Sequence, residues 1–571
     1  MSSLFSATMR EVIRNPVRVL NKNGAVFDEA IPDPFVIRFK GIYYCYATGI
    51  NGVLVLKSQN LSQFQYLGYA LSDEQEWEYW APCVVYSNGT FYMYYSSRDR
   101  QSDNPHDQRM KVAISKKPEG PFQFVKQISN SFCIDADVQI FESGKWGMFY
   151  ATNDFHGNDQ IRPGTTVAFD EMINPIEVAG NPIDLISASC DREIFARNRF
   201  GDGRDWHTIE APCYLKNDDR EFLMYSGNAY TSKDYFVGCA KREFGCKWSK
   251  LKTPIIQSDG YLFGTGHNSV VTGPNGLDCI TIFHGMEATP QENSPDTRRI
   301  CVARILPSEN GLSVIGSLLH EFNRFSNSSL SDFSEYSSGN TNDQWQMVHP
   351  EQISRSEDNS VTVSNHAAVI SKKKFQDYHM EVFCKGNKNG GNFGIYISYI
   401  NDDNFSIITV NPVTRNTKLT HVRNGEEHCK ECFFGDIDFS HYQLFRVDKC
   451  GCSARVYLNS MPIGTIPVVF EESAVGVRSL SGAVTVSDFL VTEHLELTAE
   501  NYFAIRDRAF GHTDEDAFTI ENDRLVCSGT TFDLCSPFKV PYEMYLGLET
   551  GESSIDISHA ACREPYARCA R

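Results

Sequence analysis

The sequence predicts an all-β chain, with a five-bladed β-propeller followed by a β-sandwich. Three observations carry this. Five strand cores recur through the first half, each ending in a small or polar residue and each preceded by a distinctive short motif. Aromatic residues make up 12% of the chain, with 26 Tyr and 38 Phe, a composition that favours strands and suits stacking against sugars. After about residue 330 the texture changes to short alternating strands with no long helical pattern.

The strand cores are Tyr43–Thr48, Phe91–Ser97, Trp146–Thr152, Phe222–Gly227 and Ile280–Gly285, with turn signals at Asn88-Gly89, Glu142-Ser143-Gly144 and Asn275-Gly276. Ahead of them stand Asp33-Pro34, Trp80-Ala81-Pro82, Ile134-Asp135, Glu210-Ala211-Pro212 and the run Gly264-Thr265-Gly266-His267-Asn268. Taking positions 33, 81, 135, 210 and 267, the steps are 48, 54, 75 and 57 residues. A repeat of that length built from strands closes as a propeller, whose innermost strands line a central cavity. Motifs at the starts of those strands then face one another.

The organisation that follows is an N-terminal extension over 1–27, a propeller over 28–320, a sandwich over 330–497 and a C-terminal segment, 498–571, to which no role is assigned. The sandwich is read from Tyr378–Phe383, Asn392–Ile400, Phe405–Val410, Tyr442–Val447, Ala454–Leu458 and Val484–Val491. The Ser/Asn-rich stretch Ser326–Ser338 reads as a linker or a loose first strand.

Composition narrows the function. A net charge of −19 argues against nucleic-acid or anionic-membrane partners, which need basic patches, and leaves a neutral saccharide as a suitable partner. No apolar run approaches a membrane span, and Arg10, Glu11, Arg14 and Arg18 interrupt the start, so the expected location is cytoplasmic. Most of the 18 Cys lie in strand-like runs and are expected to be buried thiols. Cys429-Lys430-Glu431-Cys432 and Cys450-Gly451-Cys452 admit a zinc site or a disulfide pair, but the strand between them would hold the pairs about 20 Å apart.

The candidate chemistry lies in three acids, Asp33, Asp135 and Glu210, placed alike in three repeats. Converging carboxylates are what glycoside hydrolysis requires. Each has a plainer reading: Asp33 as an Asp-Pro turn, Glu210 in a structural ion pair with Arg, and Asp135 as one of two acids, since Asp137 shares its face under strand alternation. The apolar flanks of Glu210 favour a raised pKa, which a general acid needs at neutral pH. His267 is open between a hydrogen bond in a turn and a cavity role.

This ordered set of five motifs resembles glycoside hydrolase family 43, over roughly residues 28–320. Supporting phrases are Lys117-Pro118-Glu119-Gly120-Pro121-Phe122 and Tyr235-Phe236-Val237-Gly238-Cys239-Ala240. The resemblance implies an inverting O-glycosidase with Asp33 as general base, Asp135 as the residue that tunes and orients the acid, and Glu210 as general acid. It further implies that Trp80 walls the sugar site and that Arg298, or its neighbour Arg299, is an active-site arginine. His267 would lie in the propeller channel, where arabinanase-like members hold calcium or another ion; no cofactor is otherwise expected. His284 is a second channel candidate. Ala136 and Ala211 depart from the Pro and Gly common in the family without removing a carboxylate. The resemblance implies substrates of the α-L-arabinofuranosyl or β-xylosyl type, with specificity set by loops such as Ser102–Gln108 and Asp154–Ile161. The sandwich resembles concanavalin-like modules, either sugar-binding or bracing the propeller. Rival readings are a retaining fructan hydrolase of related propeller families and a non-catalytic saccharide-binding propeller.

Overall fold

The computed structural model describes residues 15–315 and 345–494, apart from short stretches at 218–219, 244–245, 275–278, 290–294, 309–310, 359, 388–389, 434–436 and 470–471, together with strand pieces at 12–13, 322–323, 328–332, 518–521, 524–527 and 530–533. The turn at Asn275-Gly276, most of the stretch 326–338 and most of 498–571 lie outside the described residues. No described helix is long and apolar enough to cross a membrane.

Five antiparallel sheets form the propeller. Their innermost strands are Phe35–Phe39, Glu76–Ser87, Cys133–Ile140, Ile209–Asn217 and Phe263–Thr272. Each pairs with one of the five strand cores, so the motifs begin the first strand of a blade and the cores form the second. These strands are buried on both faces, which is why they read as near-continuous apolar runs. The ring closes through its N-terminal segment. Arg18–Leu20 adds a parallel strand to the outer edge of blade one. Just before it, the Asn15 side chain donates to Val302 O (2.7 Å) and accepts from Val302 N (2.8 Å) in blade five. Val17, Val19, Phe27 and Ile31 share an apolar cluster with Ile280, Ile300 and Val302 across that seam.

Residues 328–494 contribute an eight-stranded and a seven-stranded sheet. Val382, Phe445 and Val491 of the first share a core with Ile395, Val410 and Val477 of the second. Cys429 and Cys432 lie on the Glu426–Phe433 strand of the seven-stranded sheet, whereas Cys450 and Cys452 flank a hairpin turn of the eight-stranded one. The two pairs therefore belong to different sheets, and the Cys432 thiol donates to Ile463 O.

This second unit packs on the turns between first and second propeller strands. Asn88 Oδ1 accepts from Asp438 N (2.8 Å) and Gln443 Nε2 (3.1 Å), Tyr86 Oη donates to Tyr442 O (2.6 Å), and Lys40 pairs with Asp488 (2.8 Å). Those turns lie at the opposite strand ends from the acid motifs, a separation of about 20 Å for a strand of six residues. A buried ion pair crosses the same interface, Arg38 to Glu381 at 3.3 Å. Burial alone would raise the pKa of Glu381, but Arg38 foremost, with His379 and Arg446, holds it at about 2. Because this is below the unfolded value, the stabilisation is complete above about pH 4.5 and is lost as pH falls toward 2. Glu381→Ala strands the Arg38 charge and is expected to cost about 3–5 kcal/mol in urea unfolding, whereas Arg38→Met with Glu381→Leu should recover most of that loss.

Candidate active site

The five motifs share one backbone device. Asp33, Ala81, Asp135, Ala211 and His267 all adopt left-handed conformations, with φ of 55°, 42°, 59°, 52° and 52°. None is glycine, so each costs on the order of 1 kcal/mol. In blades two to five the strand register breaks at this point, as in a β-bulge. The preceding residues are Pro32, Trp80, Ile134, Glu210 and Gly266, and they stand opposite Thr48, Ser96, Ala151, Ser226 and His284.

This register corrects the spacing drawn from sequence. The equivalent positions are 33, 81, 135, 211 and 267, so Glu210 does not occupy the place of Asp33 and Asp135. It stands one residue earlier, where blade two carries Trp80. The misalignment arose because the acid was matched to acids, whereas the backbone matches left-handed residue to left-handed residue. Glu210 and Trp80, both half-buried, are thus the equivalent pair.

Hydrogen bonds from one blade to the next hold four of these strained residues. The N–H of Asp33 donates to His284 Nδ1 (3.2 Å), that of Ala81 to Thr48 Oγ1 (2.8 Å), that of Ala211 to Asp135 Oδ2 (3.0 Å) and that of His267 to Ser226 Oγ (2.8 Å). In three cases the acceptor is the residue opposite the bulge in the preceding blade. Blade three has Ala151 there, with no acceptor, and Asp135 itself takes over. Asp137 instead accepts from Tyr214 N (2.6 Å) and Gln139 Nε2 (2.9 Å) and is 1% exposed. The two acids that sequence left undecided therefore part: Asp135 lies beside Glu210, and Asp137 braces the strand of blade four.

Around Asp33 the structure gathers His267 (Nδ1 to Oδ1, 3.3 Å), His284 (3.2 Å) and Arg298 (3.2 Å), while Thr48 Oγ1 donates to Oδ2 at 2.6 Å. Burial works to raise the Asp33 pKa, but His267, Arg298 and His284 together hold it well below the usual carboxylate range. Arg298 is the cation that matters at neutral pH, since burial pushes His267 down to about 4 and lowers His284 as well. Arg298 is itself fixed by Asp296 (2.8 Å) and lies over the Tyr230 ring at 4.7 Å. Its neighbour Arg299 points away to Asp28.

Glu210 is different. Its Oε1 accepts from Tyr235 Oη at 2.7 Å, and desolvation pushes its pKa up to about 7. Asp135 is also raised, first by burial and then by the charges of Glu210 and Asp33. Tyr235 stacks on His284, centroids 5.6 Å apart and rings 4° from parallel, so it links the surroundings of the two acids. A Cβ on Gly266 would stand 2.0 Å from the Tyr235 ring, and this contact requires glycine there.

The sequence offers His267 for a channel cation, and the structure does not fit one there. His267 and His284 both turn to Asp33 Oδ1, which already faces the Arg298 guanidinium, and a metal ion would meet that charge. Among the described residues no group of three or more His, Cys, Asp or Glu is arranged to hold a metal.

Thr48 and Tyr235 take part without having been singled out as site residues. Their signals were present, in the polar residue that ends each strand core and in the run Tyr235–Ala240. Thr48→Val removes the acceptor of Ala81 N and a donor to Asp33 together. It is expected to lower stability by about 1–3 kcal/mol in urea unfolding, with Thr48→Ser close to the parent.

The family profile described as glycosyl hydrolases family 43 matches residues 24–312. Similar solved structures include a thermostable family-43 glycoside hydrolase, 29% identical over 55% of this chain and 97% of that one, with a TM-score of 0.45. Others are an endo-1,4-β-xylanase from Bacteroides thetaiotaomicron (25% identical, 51% and 97% covered, TM-score 0.43) and an α-L-arabinofuranosidase from Lactobacillus brevis (22% identical, 50% and 93% covered, TM-score 0.43). No curated protein matches the chain. With its five blades and the family profile spanning them, the chain belongs to glycosyl hydrolases family 43 and is a glycosidase.

Proposed function

We propose that the protein hydrolyses O-glycosidic bonds of pentose-containing glycans with inversion, releasing α-L-arabinofuranosyl or β-xylosyl units. The observation that carries this is the divergence of two neighbouring carboxyls: buried Asp33 is kept ionised by Arg298, and half-buried Glu210 is kept protonated up to about neutrality. Paired carboxyls pushed apart in this way are the signature of base and acid. In this scheme Glu210 protonates the glycosidic oxygen while Asp33 draws a proton from water on the opposite sugar face. Inversion needs the two about 6.5–9.5 Å apart, with room for that water. They come from blades one and four, which are separated around the ring by blade five with His267 and His284. Asp135 acts through Glu210: its bond to Ala211 N, next in chain, aims the acid, and burial holds Asp135 itself toward its protonated form, so the two carboxyls share a proton. The pentose class is what the family implies.

Glu210→Ala is expected to lower kcat/KM on aryl pentosides by roughly 10²–10⁴-fold. Proton NMR of the first product should show the inverted anomer; a retained one would favour the fructan-hydrolase alternative. Since Glu210 must be protonated to act, kcat/KM should fall as pH rises through about 7, with an acid limb only below the normal carboxylate range. Tyr235 donates to the ionised form of Glu210 and so lowers its pKa. Tyr235→Phe should therefore move the alkaline limb to higher pH.

A further inference from the structure

Loops at the strand ends that carry the acids bear several arginines, and three of them are paired with carboxylates. Arg197 pairs with Asp205 (3.0 Å), Arg204 with Asp202 (2.6 Å) and Arg162 with Asp191 (3.4 Å). Arg199, in the same loop, has neither a carboxylate nor a hydrogen-bond acceptor among the described residues. Its guanidinium instead lies against three rings, 4.8 Å from the centroid of Phe195, 5.6 Å from Phe200 and 5.4 Å from Trp206. Carboxylates are close in sequence on both sides, yet the aromatic shelf holds this side chain apart from them.

The shelf is well fixed. Trp206 is 5% exposed, and its strand Trp206–His207 pairs with Ile194–Ala196. Phe200 meets Trp206 edge-on at 5.5 Å, and His106, from the loop after the second strand of blade two, meets Trp206 edge-on from another side at 6.4 Å. Arg199 thus stands where loops of blades two and four meet, on the face that carries the acids. Trp206 precedes Glu210 by four residues of nearly extended chain, about 13 Å at most. That span is within the length of a few sugar units.

A half-buried guanidinium costs desolvation that a surface ion does not, and rings return only part of it. Its five N–H donors form a planar fork whose edge matches a carboxylate with two parallel hydrogen bonds. Neutral hydroxyls satisfy such a fork less well. In a pentose-containing glycan, a uronic-acid unit supplies such a carboxylate.

We propose that Arg199 is a specificity-determining residue that receives the carboxylate of a uronic-acid unit on the substrate, so that the enzyme favours acidic pentose-containing glycans over neutral ones. This rests on the pentosidase reading above. The lowered pKa of Arg199, caused by desolvation, agrees with a cation that lacks a counter-charge.

The test compares a pentose oligosaccharide bearing one glucuronic acid with the same compound after reduction of the carboxyl to an alcohol. Binding is measured by calorimetry to the full chain with Glu210→Gln, which prevents turnover. The acidic compound is expected to bind roughly tenfold more tightly, a margin that shrinks as salt rises from about 0.05 to 0.5 M. Arg199→Gln should bring the ratio to near one, and Arg199→Lys should keep part of it. Equal binding of the two compounds, no binding of the acidic one, or a preference that survives Arg199→Gln overturns the inference. Cleavage of the unsubstituted oligosaccharide by the parent enzyme is scored separately. Its absence counts against the pentosidase reading and leaves the carboxylate comparison to decide Arg199.

Discussion

The bond from the N–H of a left-handed residue to a side chain of the preceding blade is the contact on which the site depends. Four of the five inner strands use it; without it they would begin as ordinary extended chain, with their first side chains alternating across the sheet. The bulge turns the strand start inward, and the hydrogen bond makes that turn affordable in a buried place. Since His284 of the last blade serves Asp33 of the first, the series also runs through the seam of the ring. Ring closure and placement of the acids are therefore one problem with one solution.

Three carboxyls in so small a volume cannot all be ionised, and among the described residues one firm cation, Arg298, stands beside them. Arg298 is committed to Asp33 and Asp296, which leaves Asp135 and Glu210 to carry a proton between them near neutrality. The two histidines add bulk and hydrogen bonding without permanent charge, because burial keeps them neutral. Asymmetry among the acids thus comes from where a single guanidinium is anchored.

Much of this was legible in the sequence. The propeller followed from the spacing of motifs and cores, because a repeated β unit has few ways to bury its faces. The sandwich strands followed from alternation, since Tyr378–Phe383 and Val484–Val491 carry the period of a sheet. Asp33, Asp135, Glu210 and His267 do lie together, as motifs that face one another should, and Arg298, which the family resemblance offered beside Arg299, joins them at Asp33. Register at the level of one residue was not legible, and Glu210 was aligned with the wrong neighbour. A left-handed Ala has no mark in sequence; Ala81 and Ala211 look like ordinary small residues before Pro. The closing strand at Arg18–Leu20 escaped notice because three residues at a sheet edge leave too little pattern. The division between Asp135 and Asp137 depends on which blade-four amide each one meets, and only the folded ring decides that.

The sandwich grips the propeller at Lys40, Asn88 and Tyr86, on the turns farthest from the acids. The loops at the other strand ends, which carry His106, Arg199 and Tyr230, make no contact with that unit among the described residues. Their sequences can drift, lengthen or be exchanged without disturbing how the two units are joined. The architecture separates inheritance of the scaffold from invention of specificity, and a family built this way can explore new glycans at the rim while its framework stays the same.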